Sequence, residues 1–290
     1  MKLIKRNYCP ICKSKKKIKT LFSKPYNDPK IKNFLDNYYR NNKLNKILKN
    51  FDYTLQKCKK CNLIYQQNIA DKKLNYELYN NIISSKESFE KKMKVKKNSL
   101  RAYKKDVILI NSLLNKKNDE ISILDFGAGW GIWAKFMKSL KFKVSTSEIS
   151  QERIKYINKL DLKNYKDLFK IKKKFDVIYS DQVLEHLDYP YKFISYLTKI
   201  LKKDGIMIHK FPSGLFFDLK LYFNYKAKKD CAHPLEHLNI YSRKTFEVIC
   251  HKTKLKMLNP SYYAHSSIYD KIASYKNYLK FNTVILKKMN

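Results

Sequence analysis

The sequence predicts an α/β protein: a mostly parallel sheet with crossover helices, preceded by a small cysteine-held module. Three observations carry that expectation. From residue 121 onward, short apolar runs alternate with amphipathic stretches, the order that parallel strands joined by right-handed crossovers require. Three of the five glycines, Gly127, Gly129 and Gly131, fall in one pentapeptide directly after the apolar run 121–126. Four of the six cysteines form two Cys-x-x-Cys pairs, Cys9 with Cys12 and Cys58 with Cys61, ahead of that region.

A chain of 290 residues has room for one large α/β domain and a smaller unit, and its 44% hydrophobic content is ordinary for a globular protein. No apolar run approaches the roughly 18 residues of a membrane span, and the first residues lack the apolar core of a signal peptide, so a cytoplasmic protein with no membrane span is expected. The net charge of +38 would suit a nucleic-acid partner. Its make-up argues against reading it so: Arg6, Arg40, Arg101, Arg153 and Arg243 are the arginines, and lysines supply nearly all of the 63 basic residues. Readers of phosphates and bases lean on arginine forks. Abundant lysine, asparagine, isoleucine and tyrosine also share A/T-rich codons, so base bias in the genome accounts for the charge; nucleic acid stays a possible partner but not the favoured one. Either origin would attract an acidic small molecule.

Taken in order, residues 1–70 form the cysteine module. A Cys-x-x-Cys on a tight turn aims two thiolates at one point, and two such knuckles complete a tetrahedral, structural Zn2+ site from Cys9, Cys12, Cys58 and Cys61. In a cytoplasmic chain this is favoured over disulfides or redox-active pairs. The insert between the knuckles carries helical apolar spacing at Ile31, Phe34, Leu35, Tyr38 and Tyr39, then Leu44, Ile47 and Leu48. Residues 71–115 read as a helical linker, its last part a core-facing helix through Leu100, Tyr103, Val107, Ile110 and Leu114. Residues 116–290 form the catalytic domain.

The glycine cluster stands between an apolar strand and an amphipathic helix (Trp133, Phe136, Met137, Leu140), where an α/β fold brings backbone against a ligand. A dinucleotide fingerprint would place a third glycine at 132, where Ile132 stands. The order Asp125-x-Gly127-x-Gly129-x-Gly131 instead resembles motif I of the class I S-adenosylmethionine (SAM) dependent methyltransferases, whose sheet is Rossmann-like. The resemblance implies that Asp125 holds the amino acid end of SAM and that the glycines admit its methionine moiety. The second strand, 143–147, ends at Glu148, placed to take both ribose hydroxyls. A weaker third strand near 163–166 ends at Asp167, matching the family's acidic contact to the adenine amino group.

The fourth strand, 175–180, opens with the Phe-Asp pair typical of these enzymes, and Glu185-His186-Leu187 resembles the family element that flanks methyl transfer. A helix opened by Pro190 runs to Leu201, and a fifth strand spans 206–211 after the Asp204-Gly205 turn. Beyond an aromatic insert at 213–241, Ser242 caps a helix, a strand lies near 256–258, and 281–286 closes the sheet. The two cysteine pairs, with Cys58-Lys-Lys-Cys61-Asn-Leu-Ile-Tyr65, resemble the zinc module of sugar C-methyltransferases of deoxysugar biosynthesis, and the resemblance covers most of the chain. It implies a sugar, nucleotide-sugar or related acidic small molecule as acceptor, in surface-glycan biosynthesis, with Tyr76 or Tyr79 lining its pocket. It also implies acid/base work by a Glu-His pair after the fifth strand, which Glu236 and His237 match. His237 is then the base, oriented by Glu236, with His186 as pocket wall. His209 and His251 read as structural; His233 and His265 complete the set of six. Those enzymes continue into a further domain, whereas this sequence ends at Asn290 after the last expected strand, which leaves oxygen or carbon open as the acceptor atom.

Two other readings compete. An RNA methyltransferase would suit the charge, yet Ser180-Asp181-Gln182-Val183 lacks the prolines of the amino-methylating tetrad, and Cys231 and Cys250 lack the setting of a cytosine C5 nucleophile. A non-catalytic SAM- and zinc-binding interaction protein would leave the intact motif I, Glu148 and two Glu-His elements without a purpose.

Overall fold

The computed structural model describes residues 1–83, 85–94, 97–258 and 281–289; His265 lies outside the described residues. In chain order, β1 (Leu3–Lys5), β2 (Ile18–Pro25), α1 (Pro29–Tyr39), α2 (Asn42–Leu48), β3 (Asp52–Cys58), β4 (Ile64–Gln66), β5 (Asn68–Ala70) and α3 (Lys72–Glu77) come first. A π-helical turn, Leu78–Ile82, precedes α4 (Ser85–Met93) and α5 (Lys97–Leu114). The alternating region follows: β6 (Ser122–Phe126), α6 (Ile132–Ser139), β7 (Lys143–Ser147), α7 (Gln151–Lys159), β8 (Lys163–Asn164), β9 (Phe175–Asp181), α8 (Pro190–Lys199) and β10 (Leu201–Lys210). Then come α9 (Phe217–Tyr222), β11 (Asn239–Ile240), α10 (Arg243–Lys252), β12 (Leu255–Leu258) and β13 (Thr283–Lys288).

These elements form two compact units whose boundaries are not serial. Unit 1 holds Met1–Ser85, Leu184–Tyr191 and Pro212–Ile249; unit 2 holds Lys86–Val183, Lys192–Phe211 and Cys250–Asn290. The expected module 1–70, linker 71–115 and catalytic domain 116–290 are therefore redistributed. The linker divides between Ser85 and Lys86, and two later segments join the N-terminal unit.

Unit 1 is built on a four-stranded sheet in the order β11-β4-β3-β2, with β1 and β5 paired separately. The insert between the knuckles folds as its spacing predicts, burying Ile31, Leu35 and Tyr39 from α1 and Leu44 and Leu48 from α2. Asp28 and Asn41 start these helices by accepting from the amides of Lys30 and Leu44. The later segments are bound in by two devices. Their Phe217, Tyr225, Ala232, Leu235 and Ile240 enter one core with Leu3, Tyr26 and Tyr53. The buried Arg6 guanidinium, its pKa lowered to about 10 by desolvation, donates to the carbonyls of Gln66, Leu238 and Asp188 and to Asn239 Oδ1.

Unit 2 is a seven-stranded sheet in the order β12-β13-β10-β9-β6-β7-β8. It runs parallel from β10 to β8, and β13 enters antiparallel between β10 and β12. β6 is buried at every residue, as a central parallel strand should be. Asp176 of β9 locks the strand beginnings by accepting from Ser122 N and Oγ, Lys116 and Lys202. Burial alone would raise its pKa, but those donors outweigh it and hold the carboxyl well below the usual range. β10 differs from expectation. It begins at Leu201, and the Asp204-Gly205 turn is absorbed as a register shift against β9, with Asp204 at φ 58°.

Candidate active site

The predicted cofactor residues lie in unit 2, where Asp125, Gly129 and Glu148 are neighbours. Asp125 is 3% exposed on β6, and its carboxyl is pushed well above the usual range by burial first, then by the charges of Asp181 and Glu148. The loop that follows turns through three left-handed residues, Gly127, Gly129 and Gly131, at φ 73°, 58° and 68°. Their needs differ. A Cβ on Gly127 would lie 2.5 Å from Val183 Cγ2, so that glycine is a packing requirement; a Cβ on Gly129 would meet no atom within 4 Å, so that glycine borders open space.

Glu148, just past β7, closes the loop. Its Oε2 accepts from Gly129 N at 2.9 Å, and its Oε1 accepts from Ile149 N and Ser150 N at 2.8 and 3.0 Å. Asn164 braces it, accepting from Glu148 N at 2.9 Å and donating to Glu148 O at 3.1 Å. Asp167 is exposed and caps a short turn by accepting from Phe169 N at 2.9 Å. Trp130, within the glycine loop, meets Phe89 of α4 and Tyr156 of α7 edge-on at 4.8 and 5.9 Å.

These residues fit SAM by their chemistry. A buried carboxyl beside two further carboxylates is stabilised by a cationic ligand group, and SAM carries an ammonium and a sulfonium. The space beside Gly129 admits a group where any side chain would stand. Glu148→Ala removes the acceptor that holds Gly129 N as well as the candidate ribose ligand, so SAM affinity should fall by about tenfold or more in isothermal titration. Sequence reasoning missed Asp181 and Asn164. The signal was available: both, like Asp125 and Glu148, sit at the carboxyl end of a parallel strand.

In unit 1 the four predicted thiols converge. One ligand atom from each of Cys9, Cys12, Cys58 and Cys61 lies within 4.8 Å of all the others, and the four are buried. The two knuckles repeat one design. Cys9 N donates to Ser14 O and Lys13 N to Cys9 O; Cys58 N donates to Leu63 O and Asn62 N to Cys58 O. Lys13 and Asn62, each just after its second cysteine, are left-handed at φ 60° and 56°. Sulfur separations of 3.5 Å for Cys9–Cys61 and 3.4 Å for Cys12–Cys58 are far beyond a disulfide bond and close to the roughly 3.8 Å edge of a zinc–thiolate tetrahedron.

The predicted histidines and Glu236 also lie in unit 1. His186 ends a 3-10 turn, Leu184–His186, held by Tyr241 Oη on Leu184 O at 2.7 Å and by Leu238 N on Glu185 O at 2.7 Å. His186 Nδ1 lies 2.9 Å from Glu236 O and 3.1 Å from Tyr79 Oη, and His237 Nδ1 lies 2.5 Å from Asp230 O. A backbone carbonyl can only accept, so each ring carries its proton on Nδ1 and its lone pair on Nε2. The rings stand 4.9 Å apart, edge to face, and a Glu185 carboxylate oxygen and one nitrogen of each ring lie within 4.8 Å of one another. These are residue types that suit proton transfer or a cation. Burial lowers the His237 pKa to about 4, helped by Lys229 and opposed by the Asp230 carbonyl, so the ring is neutral at pH 7.

Glu236 does not orient His237 through its side chain. Its Oε1 accepts from Tyr39 Oη at 2.9 Å and lies 3.3 Å from Nε2 of the fully buried His233. Neighbouring residues on this tight turn send their side chains to different partners. The carboxylate grouped with His237 is Glu185, which sequence reasoning passed over. Of the two tyrosines expected near the acceptor, Tyr79 reaches His186, whereas Tyr76 is 67% exposed. His209 is buried in β10 with Nδ1 2.7 Å from Ser180 Oγ, and His251 lies in α10.

Among solved structures, the chain resembles the plantazolicin methyltransferase BpumL in complex with a pentazolic desmethylPZN analog and SAH at a TM-score of 0.55 and 14% identity, covering 75% of this chain and 95% of that one. The plantazolicin methyltransferase BamL, in complex with a triazolic analog and SAH, matches at a TM-score of 0.53 and 13% identity over the same shares. At these identities the likeness shows the fold. In sequence, 103 residues are 35% identical to the ubiquinone biosynthesis O-methyltransferase of Pelagibacter ubique (strain HTCC1062), covering 32% of this chain and 42% of that enzyme. The match thus spans under half the length of that relative. Residues 100–259, more than half of the chain, match the family described as Methyltransferase domain. A match of that extent makes the chain a member of that methyltransferase family.

Proposed function

We propose that the protein methylates a hydroxyl of a small polar acceptor, a sugar or nucleotide-sugar of the kind used in surface-glycan assembly. The observation that carries the reaction type is His237: a neutral ring pinned at Nδ1, with its Nε2 lone pair available to take a proton. SAM supplies a methyl carbon already activated by the sulfonium, so alignment, with effective molarities of about 10⁵–10⁸ M, does most of the catalytic work. As the acceptor oxygen bonds to that carbon and the carbon–sulfur bond breaks, the hydroxyl becomes far more acidic than an imidazolium. A base held at about 4 is strong enough for that proton. Oxygen as the acceptor is in keeping with the Pelagibacter relative, an O-methyltransferase. The proton passes to His237 Nε2, and the Glu185 carboxylate stabilises the imidazolium formed.

In this reading Asp125, Gly129 and Glu148 hold the amino acid and ribose ends of the cofactor, Asp167 takes the adenine amino group, and the four cysteines hold a structural Zn2+ with no part in the chemistry. The net charge of +38 supports an acidic acceptor. The cysteine module and the Glu-His order support a sugar.

His237→Ala should lower methyl transfer by about 10²–10⁴ with unchanged SAM affinity. In the native protein the rate should hold down to about pH 5 and fall as pH drops through about 4, because protonation of His237 removes the base. The groups that face it are His186, Glu185, Lys229 and the Asp230 carbonyl. The decisive assay follows label from methyl-labelled SAM into small-molecule, glycan and RNA fractions of a source-cell extract. Label in the first two, lost in His237→Ala, supports the reading; label in RNA overturns it.

A further inference from the structure

Helix α9 is apolar on two opposite sides. One side anchors it: Phe217 is buried, Leu221 packs against the unit 1 core, and Asp218 is paired with Lys57. Just upstream, a Cβ on Gly214 would fall 2.4 Å from Ile240 Cγ2, so the chain enters the helix pressed against β11. The other side faces outward. Leu215, Phe216, Leu219, Tyr222 and Phe223 are 41, 66, 53, 74 and 81% exposed. Leu219 and Tyr222 stand three residues apart on the helix, on the side away from Phe217 and Leu221, and Leu215, Phe216 and Phe223 flank the helix at its two ends.

Large apolar side chains gathered on one exposed face mark an interaction surface. The same stretch of chain carries exposed lysines at Lys220, Lys226 and Lys228, while its acids are engaged, Asp218 with Lys57 and Asp230 accepting from Ala232 N.

We propose that this face docks the protein on an anionic lipid bilayer. Aromatic rings settle at the level of the head groups, leucines reach the acyl boundary, and these lysines meet anionic lipid. Charge selects this occupant over a second copy, since each copy brings +38 and the same lysines to the contact. Chemistry selects it over single-stranded RNA. Leu215 and Leu219 offer no stacking plane, and the stretch lacks arginine. A protein held on the membrane would meet acceptors that are themselves lipid-linked, and the inference does not depend on which acceptor is used.

The test is flotation of the full chain with vesicles of phosphatidylcholine alone and of phosphatidylcholine mixed with phosphatidylglycerol. The protein should float with the mixed vesicles and remain behind with the neutral ones. Phe216→Ser combined with Phe223→Ser should lower partition by about tenfold or more. Lys226→Gln and Lys228→Gln should each lower it about fivefold. Thermal unfolding and SAM binding of these variants should match the native chain, and the lysine variants decide the matter if the double serine variant fails to fold. Equal binding to neutral vesicles, or partition unchanged in the variants, overturns the proposal. So does a face whose loss instead abolishes a dimer or RNA binding.

Discussion

Gly129→Asp removes SAM binding while leaving unit 2 folded. A Cβ at this position meets no atom within 4 Å, so the new side chain enters the open space beside the loop rather than the protein's own packing. Its φ of 58° is a conformation that aspartate tolerates better than most residues, so the backbone cost is small. The cost falls on the ligand, which must give up that space or force the loop aside, and affinity should drop by roughly a hundredfold or more. Isothermal titration reads the loss, and a melting curve shows whether the fold survives. Gly127→Ala is the contrasting variant. It carries the same glycine-to-side-chain change two residues earlier, where the new Cβ would lie 2.5 Å from Val183 Cγ2 at φ 73°. That variant should lower stability by about 1–3 kcal/mol before any effect on ligand is read. If Gly129→Asp binds SAM like the native chain, the cofactor does not lie against this loop.

The contrast between these two glycines also shows what could and could not be read beforehand. The cluster announced itself because three left-handed residues in five positions call for glycine, and the strands β6 and β9 announced themselves by apolar runs at their observed positions. Which glycine faces packing and which faces open space depends on Val183, 56 positions downstream of Gly127. The same limit hid the make-up of unit 1. β11 is two residues long, too short for any periodicity, yet Asn239 and Ile240 pair with Tyr65 and Ile64 and draw the whole insert with them. Arg6 is the other clasp, and in a chain this rich in lysine nothing marks it as a buried cation rather than a surface charge. Glu236 and His237 are adjacent in sequence, which suggested a couple. The buried Tyr39 hydroxyl and His233 claim the carboxylate instead, and no local pattern foretells that.

Removing metal should unfold unit 1 and spare unit 2. Four buried thiols at tetrahedral spacing are expected to carry one zinc per chain, measurable by elemental analysis, and structural zinc contributes an apparent binding free energy of about 10–16 kcal/mol near neutral pH. A folded domain is stable by only about 5–15 kcal/mol in total, so loss of the ion leaves little to hold the knuckles. Cys58→Ser acts at the end of β3, the strand that pairs with both β2 and β4, and should have the same effect as a strong chelator. Hydrogen exchange then distinguishes the units. Protection should vanish in β2, β3 and β4, and also at 233–240, because β11 has no partner but β4 among the described strands and Arg6 loses its carbonyls. Protection in β6 and β9, and with it SAM binding, should persist. A chelator without effect, where a thiol reductant succeeds, would mean that the cysteines are cross-linked rather than metal-bound. Melting of β2–β4 with 233–240 still protected would mean instead that the insert is held by unit 2, and the assignment of His237 and Glu185 to the cysteine-held unit would fall with it.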